Sequence, residues 1–205
     1  MFTGIVTAIG TITQAEQRGD LRLRISCPFD PSDIAIGASI ACSGVCLTAV
    51  DRGGRKGDAH FTVDVSSETV SRTAKDMWRE GSSLNLEPSL KLGDELGGHI
   101  VTGHVDAVGR IGDWQPAGAS MAAAVIAPAA LAPYIAEKGS ICVDGVSLTV
   151  NSVEDRADGS VRFSLNIIPH TAEATTLGRL EAGSEVNLEV DAIARYLHRM
   201  QMLRG

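Results

Sequence analysis

The sequence predicts an all-β protein in which one small antiparallel barrel is built twice and a helix closes the chain. Three observations carry this. The first is an internal repeat. Phe2-Thr3-Gly4-Ile5-Val6 returns as Val101-Thr102-Gly103-His104-Val105 at an offset of 99, and Ser43-Gly44-Val45-Cys46-Leu47-Thr48 returns as Asp144-Gly145-Val146-Ser147-Leu148-Thr149 at 101. Phe61 to Val65 returns as Phe163 to Ile167, and Gly81 to Glu87 as Gly183 to Glu189, both at 102. An offset that drifts so little with order preserved means two homologous units rather than a solenoid of many short ones. The second is strand alternation: LRLRI at 21–25 and VRFSLNI at 161–167 alternate apolar and polar residues. The third is the tail AIARYLHRMQML, where the period changes to that of a helix.

In chain order, strands are expected at about 2–12, 21–25, 38–43, 45–51, 60–66 and 82–87, with counterparts near 100–111, 120–126, 140–144, 146–153, 161–168 and 184–190. Six short strands in each copy fit a closed barrel, because closure removes the exposed edges of an antiparallel sheet. A sandwich fits the same spacing. Ser67 to Trp78 is a helix candidate with Val70, Ala74, Met77 and Trp78 on one side. Pro128 to Lys138 is a second, with Pro128 suited to its start, Gly139 to its end and Pro133 weakening its centre. In the tail, Ile193, Tyr196, Leu197, Met200 and Leu203 form an apolar stripe beside Arg195, Arg199 and Arg204, suited to packing on the barrels or on a neighbouring subunit. The repeats are interrupted between Pro88 and Gly97, which gives units at 1–97, 98–189 and 190–205.

Composition narrows the function. A formal charge of −7 argues against a broad nucleic-acid footprint, which needs clustered Lys and Arg. The opening MFTGIVTAIGTI is not a basic leader followed by an apolar core, and no uncharged segment is long enough to span a membrane, so a cytoplasmic location is expected. Cys27, Cys42, Cys46 and Cys142 make no CxxC pair and no disulfide framework, and free thiols are expected. No metal is called for: His99 and His104 stand five apart, which on a regular strand sets them on opposite faces, and His60, His170 and His198 complete no ligand motif. Histidine can still move protons near neutrality. Cys46 and Ser147 occupy one repeat position, each followed by Leu-Thr, although Ser147 lies in no nucleophile elbow. The glycines form neither GxGxxG nor a phosphate loop. Asp144 precedes a turn glycine, Asp191 suits a helix N-cap, and Lys138 suits a helix terminus.

Taken together, MFTGIV, SGVCLT, LGDELGGHIVTGHVD, VDGVSLTV, IIPHTAEATTLG and VNLEVDAIARYL resemble riboflavin synthase of the alpha-chain type over essentially the whole chain. The resemblance implies tandem six-stranded Greek-key barrels, each binding a lumazine, and a homotrimer assembled through the C-terminal helices. It implies a transferase without a cofactor that dismutates two molecules of 6,7-dimethyl-8-ribityllumazine, donor and acceptor, to riboflavin and 5-amino-6-ribitylamino-2,4(1H,3H)-pyrimidinedione, with sites between subunits. Association with lumazine synthase is a further implied partner; a non-catalytic lumazine- or flavin-binding protein of the same fold is the alternative. By the same resemblance Phe2, Thr3 and Gly4 belong beside the N-barrel ligand with Cys46 and Thr48. Thr102, His104, Asp144, Ser147 and Thr149 belong to the second pocket, and His99, Lys138 and Asp191 fall at positions linked to activity or ligand placement. Cys46, His104 and Ser147 are the implied catalytic residues. Ser43 departs from the pattern, standing where relatives carry Asp or Asn.

Overall fold

The first six strands of the computed structural model, which describes residues 1–204, close into a barrel. They are β1 (Ala8–Arg18), β2 (Asp20–Cys27), β3 (Ser39–Cys42), β4 (Val45–Arg55), β5 (Asp58–Val65) and β6 (Ser83–Pro88), hydrogen-bonded in the order β1-β2-β5-β4-β3-β6. The second copy comprises β7 (Ala107–Ala117), β8 (Ser120–Ala127), β9 (Ser140–Val143), β10 (Val146–Thr149), β11 (Ser152–Asp155), β12 (Val161–Ile167) and β13 (Glu185–Val190). Its order, β10-β9-β13-β7-β8-β12-β11, is the same circuit cut once. The expected second closed six-stranded barrel is therefore a curled seven-stranded sheet. The cut has a local cause. β4 bulges between Ala49 and Asp51, and at the corresponding Val150–Asn151 the ladder is interrupted, so one strand reads as β10 and β11. Other bulges also repeat: β1 slips between Ile12 and Gln14, β7 between Ile111 and Asp113.

Each copy has its own core. Ile12, Leu23, Ile25, Phe61, Val63 and Leu84 fill the first, and Ile111, Val125, Ile141, Phe163, Leu165 and Val186 the second. A third, small cluster of Phe2, Ala41, Val101 and Cys142 lies in the seam between them. The aliphatic composition thus serves two separate interiors plus a joint.

Helices differ from expectation. Residues 67–78 were expected to be helical throughout; α1 is only Ser67–Arg72, capped by Ser66 and ended at the extended Thr73, whose hydroxyl accepts from Trp78 Nε1 at 2.8 Å. The span 128–138 holds a 3-10 turn, Ala129–Tyr134, because Pro133 denies the backbone an N–H. A short α2, Pro169–Ala174, went unforeseen behind the strand signal of β12. The first strand of each copy begins later than expected, at Ala8 and Ala107; residues 2–7 and 100–106 instead form two loops joined by the Phe2–Val101 bridge. His99 and His104 consequently do not lie on one regular strand, and the alternation argument does not apply to them.

The terminal helix α3, Ala192–Met202, starts on Asp191, whose Oδ1 accepts from Ile193 N at 2.8 Å. Arg195 fixes it to the second barrel through two bonds to Asp106, at 2.6 and 2.9 Å. Its apolar stripe stays open: Ile193, Tyr196, Leu197 and Met200 are each at least half exposed. No helix among the described residues is long and apolar enough to cross a membrane.

Candidate active site

Two hairpin turns organise the centre of the molecule. Ser43-Gly44 joins β3 to β4 and Asp144-Gly145 joins β9 to β10, and all four residues have positive φ, as a two-residue type I′ turn requires. The turns meet. A Cβ on Gly44 would stand 2.9 Å from Gly145 N, and one on Gly145 2.7 Å from Gly44 N, so glycine is needed for space as well as for conformation. Behind each turn the equivalent residues do equivalent work. Asn85 N donates to Ser43 Oγ at 3.1 Å, and Asn187 N donates to Asp144 Oδ1 at 2.8 Å. The asparagine side chains then cross the seam, Asn85 Nδ2 to Asp144 O at 2.8 Å and Asn187 Nδ2 to Ser43 O at 2.9 Å. Ser43 therefore substitutes for an acidic residue in a structural role, as an acceptor within the joint. Asp144 is buried there too, and burial raises its carboxyl to about 7 against the opposing hydrogen bond from Asn187.

Just past each turn stands the residue of chemical interest, and here the two loops change places. Ser147 N donates to Gly4 O at 2.8 Å, while Cys46 N donates to Gly103 O, also at 2.8 Å. A Cβ on Gly4 would lie 2.6 Å from Ser147 Cβ, and one on Gly103 2.6 Å from Cys46 Cβ. The Thr3-Gly4 loop of the first copy thus covers Ser147 of the second, and the Thr102-Gly103-His104 loop covers Cys46 of the first. Within the chain this reverses the expected grouping, which set Gly4 with Cys46 and His104 with Ser147. The exchange comes from the Phe2–Val101 bridge, with Phe2 N to Val101 O at 2.7 Å and Val101 N to Phe2 O at 3.1 Å. Sequence alignment of the copies cannot reveal an exchange that preserves the repeat.

The two places are equivalent in backbone and different in side chains. At Ser147, Oγ lies 2.6 Å from His99 Nδ1. His99 is 8 % exposed, and its Nε2 is buried without a protein partner among the described residues. Burial lowers the pKa of His99, against the charges of Asp191 and Glu189 nearby, so the ring is neutral at neutral pH. Asp191 is thereby both a helix cap and a neighbour of the site. Cys46 is half-buried, and His104, the residue that follows Gly103 in the loop covering it, is exposed. Cys27, Cys42 and Cys142 are buried, and burial pushes all three thiols up, which keeps them protonated and unreactive.

The remaining expected residues are spread around this frame. Phe2 is fully buried in the seam, where it can act on a ligand only by fixing the loop that follows. Thr48 and Thr149 are exposed at equivalent places, one at the fourth residue of β4 and one at the end of β10. Lys138 is exposed with φ of +64°, and its N–H donates to Val150 O at 2.8 Å, the place taken by Gly37 and Ala49 in the first copy. A depression of about 410 Å³ lined by Thr3, Ile5, Thr7, Glu87, Lys91 and Gly97 borders the Thr3 loop. No group of three or more His, Cys, Asp and Glu side chains able to hold a metal occurs among the described residues. The residues missed from sequence are Glu87 and Glu189, buried beneath the two loops; the signal was present in the repeated GSxxNLE but carried no chemistry of its own.

Comparison with known proteins agrees with this duplicated design. The profile of the lumazine binding domain matches residues 3–89 and again 102–191. A riboflavin synthase of Mycobacterium bovis is 45 % identical over 206 residues, covering 100 % of both chains, and one of Brucella abortus is 44 % identical over 202 residues, covering 98 % of both. The Bacillus subtilis riboflavin synthase is 36 % identical, over 97 % of this chain and 89 % of that one. Among solved structures, LumP complexed with riboflavin superposes with a TM-score of 0.78 at 24 % identity, over 93 % of this chain and 99 % of that one. LumP complexed with 6,7-dimethyl-8-(1'-D-ribityl) lumazine gives 0.75 at 23 %, with the same coverage. At those identities the likeness establishes the fold.

Proposed function

This chain belongs to the riboflavin synthase family of enzymes, built from two lumazine-binding domains, and on that premise we propose that it dismutates 6,7-dimethyl-8-ribityllumazine. Two molecules react; one gives a four-carbon unit to the other, forming riboflavin and 5-amino-6-ribitylamino-2,4(1H,3H)-pyrimidinedione. The atoms of two substrates equal those of the two products, so no outside reductant or oxidant is required. One observation carries the reading: the Cys46 and Ser147 positions share a backbone frame and differ in side chains. Equivalent frames suit two identical molecules, and unequal side chains suit two unequal roles.

The chemistry follows from the groups present. The C7 methyl of one lumazine is acidic because the resulting anion delocalises into the electron-poor ring. The neutral ring of His99, with Nδ1 at 2.6 Å from Ser147 Oγ, makes a pair suited to relay that proton through the hydroxyl and to orient it toward water or a ring nitrogen. Carbon–carbon bond formation with the second lumazine gives a pentacyclic adduct, which fragments to the products. Cys46 and His104 attend the other molecule, with Thr48, Thr102, Thr149 and Lys138 as binding residues around the two frames. Holding both reactants removes most of their encounter entropy, and excluding water protects the anion. The working units are the barrel of 1–97, the barrel of 98–189 and the tail of 190–205. The open stripe of α3 supports a homotrimer whose sites join the first barrel of one subunit to the second of another.

The test is incubation of purified protein with 6,7-dimethyl-8-ribityllumazine alone, followed by chromatography. One riboflavin and one pyrimidinedione per two substrates is the expected result. Tight binding without turnover would instead make the chain a lumazine- or flavin-binding protein.

A further inference from the structure

Beneath each exchanged loop lies a buried carboxylate that touches neither Cys46 nor Ser147. Glu189, 3 % exposed, takes four donors: Thr102 N at 2.6 Å and Thr102 Oγ1 at 2.7 Å on Oε1, and Gly103 N at 2.9 Å and His104 N at 3.0 Å on Oε2. Glu87, 6 % exposed, takes three from the equivalent loop: Thr3 N at 2.7 Å and Thr3 Oγ1 at 2.8 Å on Oε1, and Gly4 N at 3.0 Å on Oε2. Successive N–H groups converge on one anion because the glycine is left-handed, with φ of +77° at Gly4 and +79° at Gly103. Such charge-assisted bonds offset the cost of burying the carboxylate and are stronger than neutral ones.

The carbonyl of the same glycine carries the connection onward. Gly103 O receives Cys46 N, and Gly4 O receives Ser147 N. Each glutamate therefore stands two hydrogen bonds from the backbone N–H of the residue expected to do chemistry in the other barrel. We propose that Glu189 is the positioning residue for the Cys46 and His104 frame and Glu87 the positioning residue for the Ser147 frame, each barrel setting the geometry of its neighbour's site through the exchanged loop. This rests on the dismutation reading for its activity assay and on the hydrogen bonds alone for the geometry. Gln is the informative replacement. It keeps the shape but turns an amide N–H₂ toward backbone donors or loses the acceptors on one side, and it removes the charge.

The experiment compares Glu189→Gln and Glu87→Gln, alone and combined with Cys46→Ser or Ser147→Ala. Three readouts are taken: amide hydrogen exchange of residues 2–5 and 101–105, lumazine affinity by fluorescence, and kcat and KM for riboflavin formation. Expected for Glu189→Gln are faster exchange at 102–104 only and a kcat lower by about tenfold to hundredfold, the loss that a misplacement near 1 Å produces. Adding Cys46→Ser should then cost little more, whereas adding Ser147→Ala should multiply the losses. Glu87→Gln should give the converse pattern. Equal coupling to both frames, or faster exchange with kcat and KM unchanged, overturns the proposal. Should a Gln variant fail to fold, Thr102→Val and Thr3→Val remove one hydroxyl donor from each carboxylate and are held to the same pattern of couplings. If wild-type protein forms no riboflavin, the dismutation reading fails while exchange and lumazine affinity still judge the clamp. In that case unchanged exchange and affinity in both Gln variants would sink it independently.

Discussion

Replacing Asp144 by serine, the residue that Ser43 supplies at the equivalent turn, should flatten the dependence of stability on pH. The buried carboxyl is raised from an ordinary 3.8 to about 7, chiefly by desolvation, while Asn187 N–H opposes the shift at 2.8 Å. The sign follows from linkage. A carboxyl with a raised folded pKa binds its proton more tightly folded than unfolded, so it stabilises the fold at low pH and that contribution is lost as pH rises from about 4 through about 7. Each tenfold change in proton affinity corresponds to about 1.4 kcal/mol, which makes the full span about 4 kcal/mol and the portion between pH 5 and 7 about 2 kcal/mol, because the group is only half ionised at its folded pKa. Serine keeps an acceptor for Asn187 N–H, as Ser43 does for Asn85 at 3.1 Å, but has nothing to titrate. Urea unfolding of both proteins at pH 5 and pH 8, at one fixed protein concentration, isolates the contribution of this carboxyl. The wild type should lose about 2 to 3 kcal/mol more than Asp144→Ser over that interval. An identical loss in both proteins would refute the assignment of a buried titrating carboxyl to the joint.

Other outcomes follow from the same frame. Gly4→Ala and Gly103→Ala each force a Cβ to 2.6 Å from the side chain of Ser147 or Cys46 at a left-handed φ, and should destabilise by about 2 to 5 kcal/mol in chemical unfolding; unchanged midpoints would contradict the exchanged docking. His99→Gln should abolish an acid limb in the pH profile of riboflavin formation, one shifted below the ordinary histidine value because burial lowers the ring's pKa. A limb that persists in the variant belongs to another group. Cys46→Ser should slow turnover severalfold without abolishing it, since much of the methyl acidity belongs to the substrate; rapid-mixing spectra with turnover and binding both unchanged would remove Cys46 from the mechanism. Tyr196→Glu puts a charge on the exposed stripe of α3 and should lower the sedimenting mass, whereas an unaltered assembly would assign the interface elsewhere.

Much of this molecule is legible in its sequence. Periodicity located the strands to within a few residues in the middle of each copy, because alternation of buried and exposed positions is a local property of the pleat. It failed at 2–7 and 100–106, where apolar residues such as Phe2 and Val101 are buried by the seam rather than by a sheet face. It also failed at 67–78, where the helix ends at Thr73 although apolar spacing continues, because Ala74 N leaves the helix to bond Asn187 Oδ1 at 2.8 Å.

Sequence alone is enough for the duplication, the approximate position of most strands and the polar residues that recur beside the glycines, all of which are written in neighbouring positions. Which loop covers which barrel is fixed by the packing of the two copies, because a swapped and an unswapped pair of repeats have the same sequence and the same local conformations. That packing likewise makes Asp144 and Ser43 parts of a joint and joins His99 to Ser147 across 48 positions of chain. Hydrogen bonds between the copies depend on where two folded surfaces meet, and no local pattern encodes that.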